Sequence, residues 1–232
     1  MAVKFQNRAE AGRLLAGKLE GYAGREGVIV LGLPRGGVLV AREVAAKLKA
    51  PLDVFLVRKL GVPGHEEVAM GAVAGGGVCF FNESLIESCR IPRRVLEEVV
   101  ERERKELARR EQAYRRAGPP VLRDRTVILV DDGLATGATM RAAARAARQQ
   151  QPARLVAAAP VAAPETLEQL REEVDEAVCV LAPEDFRAVG EWYEDFGQTT
   201  DEEARAALQQ EADDTAISRR ASRARGWRPP AC

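Results

Sequence analysis

Residues Val127 to Thr139 read VILVDDGLATGAT, and their order combines two kinds of chemistry in one short stretch. Val127 to Val130 have the composition of a buried parallel strand. Two adjacent carboxylates, Asp131 and Asp132, stand where that strand ends, and Gly133 to Thr139 form a small-residue loop before an Ala/Arg-rich helix. Ligands in open α/β sheets bind at the carboxyl ends of strands, so the position suits a site. A loop of Gly133, Ala135, Gly137 and Ala138 lets backbone N–H groups wrap a phosphate at a helix N-terminus. Thr136 and Thr139 add hydroxyl donors. Asp131 and Asp132 are acceptors, suited to the vicinal hydroxyls of a ribose or to water on a magnesium ion. The sum is a ribose 5-phosphate site. A P-loop would need Lys after its second glycine, and a dinucleotide fingerprint would place its glycines before any acid; neither order is present. The bland alternative is a strand–turn–helix junction with an acidic cap.

Three other segments carry residues of the same kind. In LPRGG, Leu33 to Gly37, Gly36 and Gly37 permit close backbone approach to an anion, and Arg35 is a planar cation with several donors. Without the first motif, a tight turn with an exposed arginine would be the better explanation. In VRKLGVPGHEE, Val57 to Glu67, Arg58 and Lys59 end a predicted strand and point to the same crevice. In PEDFRAVGEWYEDFGQTTDEE, Pro183 to Glu203, Phe186, Trp192, Tyr193 and Phe196 concentrate rings in a chain with 5% aromatics. They suit a planar heterocycle, and equally a cap over a sheet edge or a dimer contact.

The elements that must position these residues alternate. Asn7 to Leu19 reads as a helix, Val28 to Pro34 as a strand, Gly37 to Lys49 as a helix and Leu52 to Lys59 as one strand. Val68 to Phe81 reads as two short strands folded about Gly75, Gly76 and Gly77, and Pro92 to Arg116 as a long helix. Its Glu98–Arg102, Glu101–Lys105 and Glu106–Arg110 spacings predict i,i+4 pairs on a solvated face. After the motif strand and a helix to Gln149, strands follow at Leu155–Ala159 and Glu176–Leu181, with a helix from Pro164 between them. The pattern predicts an α/β, doubly wound, mostly parallel sheet. One domain is expected over 1–205, with 183–205 as a hood that the N-terminal segment could join. The remainder, 206–232, reads as a helix end and an Arg/Ser/Pro-rich tail lacking the apolar content of a core.

Composition narrows the class. The 232 residues carry zero net charge, which disfavours a generally basic nucleic-acid binder. Cys79, Cys89, Cys179 and Cys232 form no Cys-x-x-Cys pair, and His65 is the single histidine, so neither a zinc site nor a disulfide framework is expected. No apolar run approaches a membrane span, and the cytoplasm is the default.

The Asp-Asp-Gly-x-x-Thr-Gly-x-Thr order resembles the phosphoribosyl diphosphate (PRPP) motif of the type I phosphoribosyltransferases. The resemblance spans about residues 5 to 205, and the whole chain is most similar to bacterial proteins sharing LPRGG, VRK and an F-x-x-V-G-x-x-Y-x-D-F hood. It implies that Asp131 to Gly133 and Ala135 to Thr139 bind ribose and 5-phosphate, and that Arg35, Gly36, Gly37, Arg58 and Lys59 bind pyrophosphate. It further implies a mobile lid from Gly61 to Gly77 and an acceptor hood including Phe186, Val189, Trp192 and Tyr193. Magnesium is the implied cofactor, reached by Asp131 and Asp132 through water or ribose hydroxyls. Catalytic roles fall to Asp131 and Asp132, with Glu66 or Glu67 as the nearest proton acceptors. The partners expected are PRPP and a small acceptor, with a homodimer left open and neither membrane nor nucleic acid. Ala135 stands where 6-oxopurine enzymes place an acid, so the acceptor base is not fixed. A PRPP-sensing regulator and a nucleoside hydrolase or phosphorylase are the rival readings.

Overall fold

A computed structural model of the chain describes residues 4–114 and 118–209. Its central sheet has five parallel strands in the order β2-β1-β6-β7-β8: β1 Val28–Gly32, β2 Leu52–Val54, β6 Thr126–Val130, β7 Arg154–Val161 and β8 Glu176–Leu181. Strand periodicity assigns the two faces. Val28, Val30, Ile128, Val130, Val156 and Ala158 pack against α1 (Arg8–Lys18) and α2 (Gly36–Leu48). Ile29, Leu31, Val127, Leu129, Leu155 and Ala157 pack on the other face, against α5 (Ala138–Arg148) and α6 (Pro164–Arg171). Both faces are covered, which is why these strands read as continuous apolar runs. The expected doubly wound α/β sheet is borne out.

The stretch predicted as one strand over Leu52 to Lys59 is broken. The chain leaves the main sheet at Phe55 and Leu56, both buried, and continues as β3 (Val57–Val62) in a separate antiparallel sheet. That sheet has the order β3-β4-β5, with β4 at His65–Ala74 and β5 at Cys79–Phe81. The turn at Gly75–Gly77 falls where expected, but Gly61 to Gly77 is a paired hairpin, not an open loop. Leu60, Met70 and Val73 are fully buried beside Val99, Val100 and Leu107 of α4 (Arg93–Tyr114). The tip, Pro63 to Glu66, is exposed throughout. Hydrogen exchange should therefore be slow at Leu60, Met70 and Val73 with or without ligand, and fast at Gly64 to Glu66. Rapid exchange at the buried positions would restore the open lid.

On α4, Glu101–Lys105 and Glu106–Arg110 pair as predicted, at 3.4 and 3.0 Å, whereas Glu98 pairs with Arg94 at 3.0 Å and not with Arg102. A short helix, α3 (Glu83–Ser88), is an addition to the predicted elements; the Asn82 side chain caps it by accepting from the Leu85 N–H. A last helix occupies 201–209, and the rest of the predicted helix end and tail, with Cys232, lies outside the described residues. No described helix is long and apolar enough to cross a membrane.

Candidate active site

The sheet order places β1 beside β6, with β2 beyond one and β7 beyond the other. The connections after β1 and β6 therefore depart in opposite directions and leave a crevice at their carboxyl ends. The two turns meet there. Gly32 is in register with Val130, and the Leu33 N–H donates to the Val130 carbonyl at 2.8 Å. The β1 turn contains a cis peptide between Pro34 and Arg35 and enters α2 at Gly36. A Cβ on Gly36 would lie 1.9 Å from Asp132 Oδ2, and one on Gly37 would lie 2.7 Å from the Val130 carbonyl oxygen. Contact with the second turn, not backbone torsion, is what requires glycine at both positions.

The loop from Gly133 to Thr139 is held from outside. Leu134 bridges to Ala162: its N–H donates to the Val161 carbonyl at 2.9 Å, and the Ala163 N–H donates back to the Leu134 carbonyl at 2.9 Å. Thr166 Oγ1 donates to the Ala135 carbonyl at 2.5 Å. Gly137 has φ +65° and directly precedes α5, so the loop meets a helix N-terminus as a phosphate cradle requires. From sequence, Gly137→Val is expected to obstruct phosphate directly. The new Cβ would instead strike Thr166 Cγ2 at 2.4 Å, so the variant would distort the cradle from behind.

Both carboxylates end β6, in a partly buried setting. The Asp132 N–H donates to Asp131 Oδ1 at 2.9 Å, and Arg8 Nε donates to Asp132 Oδ2 at 2.7 Å. Burial pushes the Asp131 carboxyl well above the usual range, and the charge of Asp132 beside it adds to that shift. Tyr193 donates its hydroxyl to the Asp132 carbonyl at 2.6 Å, and burial raises its phenol far above the ordinary value.

The hood leans on this strand end. A Cβ on Gly133 would meet Val189 Cγ1 at 2.3 Å, so Val189 lies directly against the loop that follows β6. Trp192 and Tyr193, only 8% and 3% exposed, are packed with Phe5 and Val161. Their rings act as a cap over the sheet edge. Phe186 and Phe196 are half-buried at its margin, while Arg187 and Ala188 are exposed. The N-terminal segment is joined to the hood, since the Phe5 N–H donates to the Trp192 carbonyl and the Glu194 N–H donates to the Phe5 carbonyl.

The cations predicted for pyrophosphate are dispersed. Arg35 is exposed in the β1 turn. Arg58 and Lys59, inside β3 and not at a strand end, face opposite sides. Arg58 Nη2 is 2.7 Å from Glu103 of α4, whose side chain is 10% exposed. Lys59 instead lines a cavity of about 290 Å³ with Ala138, Arg141 and Arg145 of α5 and Phe80 of β5. Arg58→Ala should therefore destabilise the protein by roughly 1–3 kcal/mol, because it strips a partner from a buried carboxylate that keeps Arg102. Lys59→Ala should weaken anion binding. Calorimetry and thermal melts on both variants check this, and an unchanged melt for Arg58→Ala would contradict it. At the hairpin tip, Glu66 is held below the usual carboxylate range by the backbone amides of Glu66 and Gly64, which makes it a weak base. Glu67 lies in β4, and its side chain is outside the described part of the structure.

The phosphoribosyl transferase domain family matches residues 4–193. The chain belongs to this family. It is 42% identical over 205 residues to the curated "Putative phosphoribosyl transferase Rv0571c" of Mycobacterium tuberculosis strain H37Rv, covering 88% of this chain and 46% of that protein. The corresponding protein of strain CDC 1551 matches equally, so the chain spans about half the length of these curated relatives. The crystal structure of TT1426 from Thermus thermophilus is 46% identical and covers 90% of this chain and 99% of that one, with a TM-score of 0.81. The expected type I phosphoribosyltransferase fold is thereby borne out.

In this phosphoribosyl transferase domain the donor set suits magnesium of a particular kind. Asp131 and Asp132 share one strand end, and among the described residues no cluster of three acidic, His or Cys side chains could cage an ion. Magnesium commonly binds through one or two carboxylates plus substrate phosphates and water, which this arrangement fits. Sequence reasoning misses Arg8. It opens a predicted helix 124 positions from its partner Asp132, and no local spacing signals that pair.

Proposed function

We propose that the chain binds PRPP with magnesium and transfers its 5-phosphoribosyl group to a nitrogenous base or related amine, releasing pyrophosphate. The apposition of the two turns carries this reading: Gly36 lies against Asp132 at the switch point, with an amide-rich loop and helix N-terminus beside them. The loop 133–139 takes the 5-phosphate, Asp131 and Asp132 take the ribose hydroxyls, and Arg35 to Gly37 with Lys59 take the pyrophosphate. Magnesium, when bound, screens the charge between the pyrophosphate and the carboxylates.

The C1–oxygen bond breaks with its electron pair leaving on pyrophosphate, and the cations favour that departing charge. The ribose ring becomes positive, which Asp131 and Asp132 stabilise electrostatically. The acceptor nitrogen attacks C1 from the opposite face and then loses its proton to water or to the departing pyrophosphate. Val189 and its neighbours, seated on Gly133, exclude water that would otherwise capture the ring cation. The depressed basicity of Glu66 disfavours it as the proton acceptor.

The test is purified protein with PRPP, magnesium and a panel of bases and amines, scored by pyrophosphate release. An acceptor-dependent release supports the transferase. PRPP binding without release for any acceptor would favour the non-catalytic sensor.

A further inference from the structure

We propose that Arg8 is the positioning residue of the ribose site, fixing the Asp132 carboxylate and latching the hood to the strand end. The inference rests on the PRPP reading above and adds to it a residue from outside the motif.

Arg8 makes three contacts that join two separate parts of the fold. Its Nε donates to Asp132 Oδ2 at 2.7 Å, its Nη1 donates to the Gly197 carbonyl at 2.9 Å, and its guanidinium lies 4.0 Å from the centroid of the Phe196 ring. The Arg8 and Asp132 side chains are 12% and 16% exposed, so solvent screens the pair poorly. Lysine could supply the charge but not this planar fork and stacked face together.

The arginine is itself held in place. It is the first residue of α1, whose N-cap Asn7 accepts from the Glu10 N–H while Glu10 accepts from the Gln6 N–H. Leu15 and Ala16 anchor the same helix in the core. Gly36 completes the arrangement, since a Cβ there would come within 2.8 Å of Arg8 Nε as well as striking Asp132. A carboxylate beside a second carboxylate would otherwise rotate away from it. Arg8 gives Asp132 one orientation before ligand arrives, so that ordering cost does not fall on binding. Through Gly197 and Phe196 the same side chain ties the hood to the ribose end of the crevice.

The test is calorimetry with magnesium on the full chain, using ribose 5-phosphate and PRPP as separate ligands. The proteins are wild type, Arg8→Met, Arg8→Lys, Asp132→Asn and the Arg8→Met/Asp132→Asn double variant. Methionine keeps an unbranched stem on Phe196 and removes the donors. Arg8→Met should weaken both ligands about tenfold or more, Arg8→Lys should recover part of the loss, and Arg8→Met should cost markedly less in the Asp132→Asn background than in wild type. Three results would overturn the proposal: unchanged affinities, a loss for PRPP alone (which makes Arg8 a pyrophosphate ligand), or independent, multiplying losses in the double variant. If Arg8→Met does not melt cooperatively, Arg8→Lys decides, with about a threefold loss for both ligands expected and wild-type affinity overturning the idea. Wild type that binds neither ligand would remove the PRPP reading and this inference together. Wild-type binding with indifferent Arg8 variants would remove this inference alone.

Discussion

Asp131→Asn should sharply weaken ribose-phosphate binding and yet raise the thermal stability of the unliganded protein. The ionised carboxyl is disfavoured in the folded state by burial and by Asp132, so its folded pKa lies well above the ordinary 3.8. Between those two values the folded chain binds more protons than the unfolded one, and stability falls as pH rises. Above the raised value the whole penalty is present. Asparagine keeps a carbonyl oxygen to accept the Asp132 N–H, now at 2.9 Å, and carries no charge. The melting temperature of Asp131→Asn minus that of wild type should grow as pH rises above the ordinary carboxylate value, reaching roughly 2–6 °C. Turnover and affinity should fall roughly a hundredfold or more, as when a charge aimed at a developing ionic centre is removed. A variant less stable than wild type at neutral pH would show that the carboxylate serves the fold.

Gly36→Ala should be nearly as damaging to binding, for a steric reason. The new Cβ would lie 1.9 Å from Asp132 Oδ2 and 2.6 Å from its Cγ, an overlap that only movement can relieve. A flexible carboxylate could swing aside cheaply, but this one is held by Arg8 at 2.7 Å. Either the ion pair opens or the β1 turn withdraws from the crevice, and in both cases the ribose site is lost. The companion change, Gly37→Ala, meets backbone at the Val130 carbonyl oxygen and Asp131 Cα, so it should lower stability more than Gly36→Ala does. Thermal melts and PRPP calorimetry on the two variants separate the effects. Wild-type affinity in Gly36→Ala would mean that Asp132 is not where the ligand needs it.

Local signals locate the site, and tertiary packing decides its details. The apolar run before Asp131, the small-residue loop and the following helix are contiguous, so their order alone reveals a strand end facing a tight loop at a helix N-terminus. The split of Leu52 to Lys59 is hidden, because Phe55 and Leu56 are as apolar as the strands they separate, and a run of that composition carries no break. The hairpin reads as a lid because of its glycines. Its Leu60, Met70 and Val73 are instead buried by α4, a helix that begins 20 residues beyond the last of them. Arg58 and Lys59 illustrate the same limit: adjacent residues in a strand face opposite ways, and the strand continues past the point where its composition suggests an end. The hood rings are ambiguous by type. Burial of Trp192 and Tyr193 against Phe5 assigns them to packing, and only the fold brings Phe5 there.

Hydrogen exchange of the whole chain with and without PRPP and magnesium tests the central claim most directly. Slower exchange is predicted in two separated stretches at once, Arg35 to Gly37 and Gly133 to Thr139, with the buried hairpin positions unchanged. Unchanged exchange in both stretches at millimolar PRPP would contradict the assignment of this crevice.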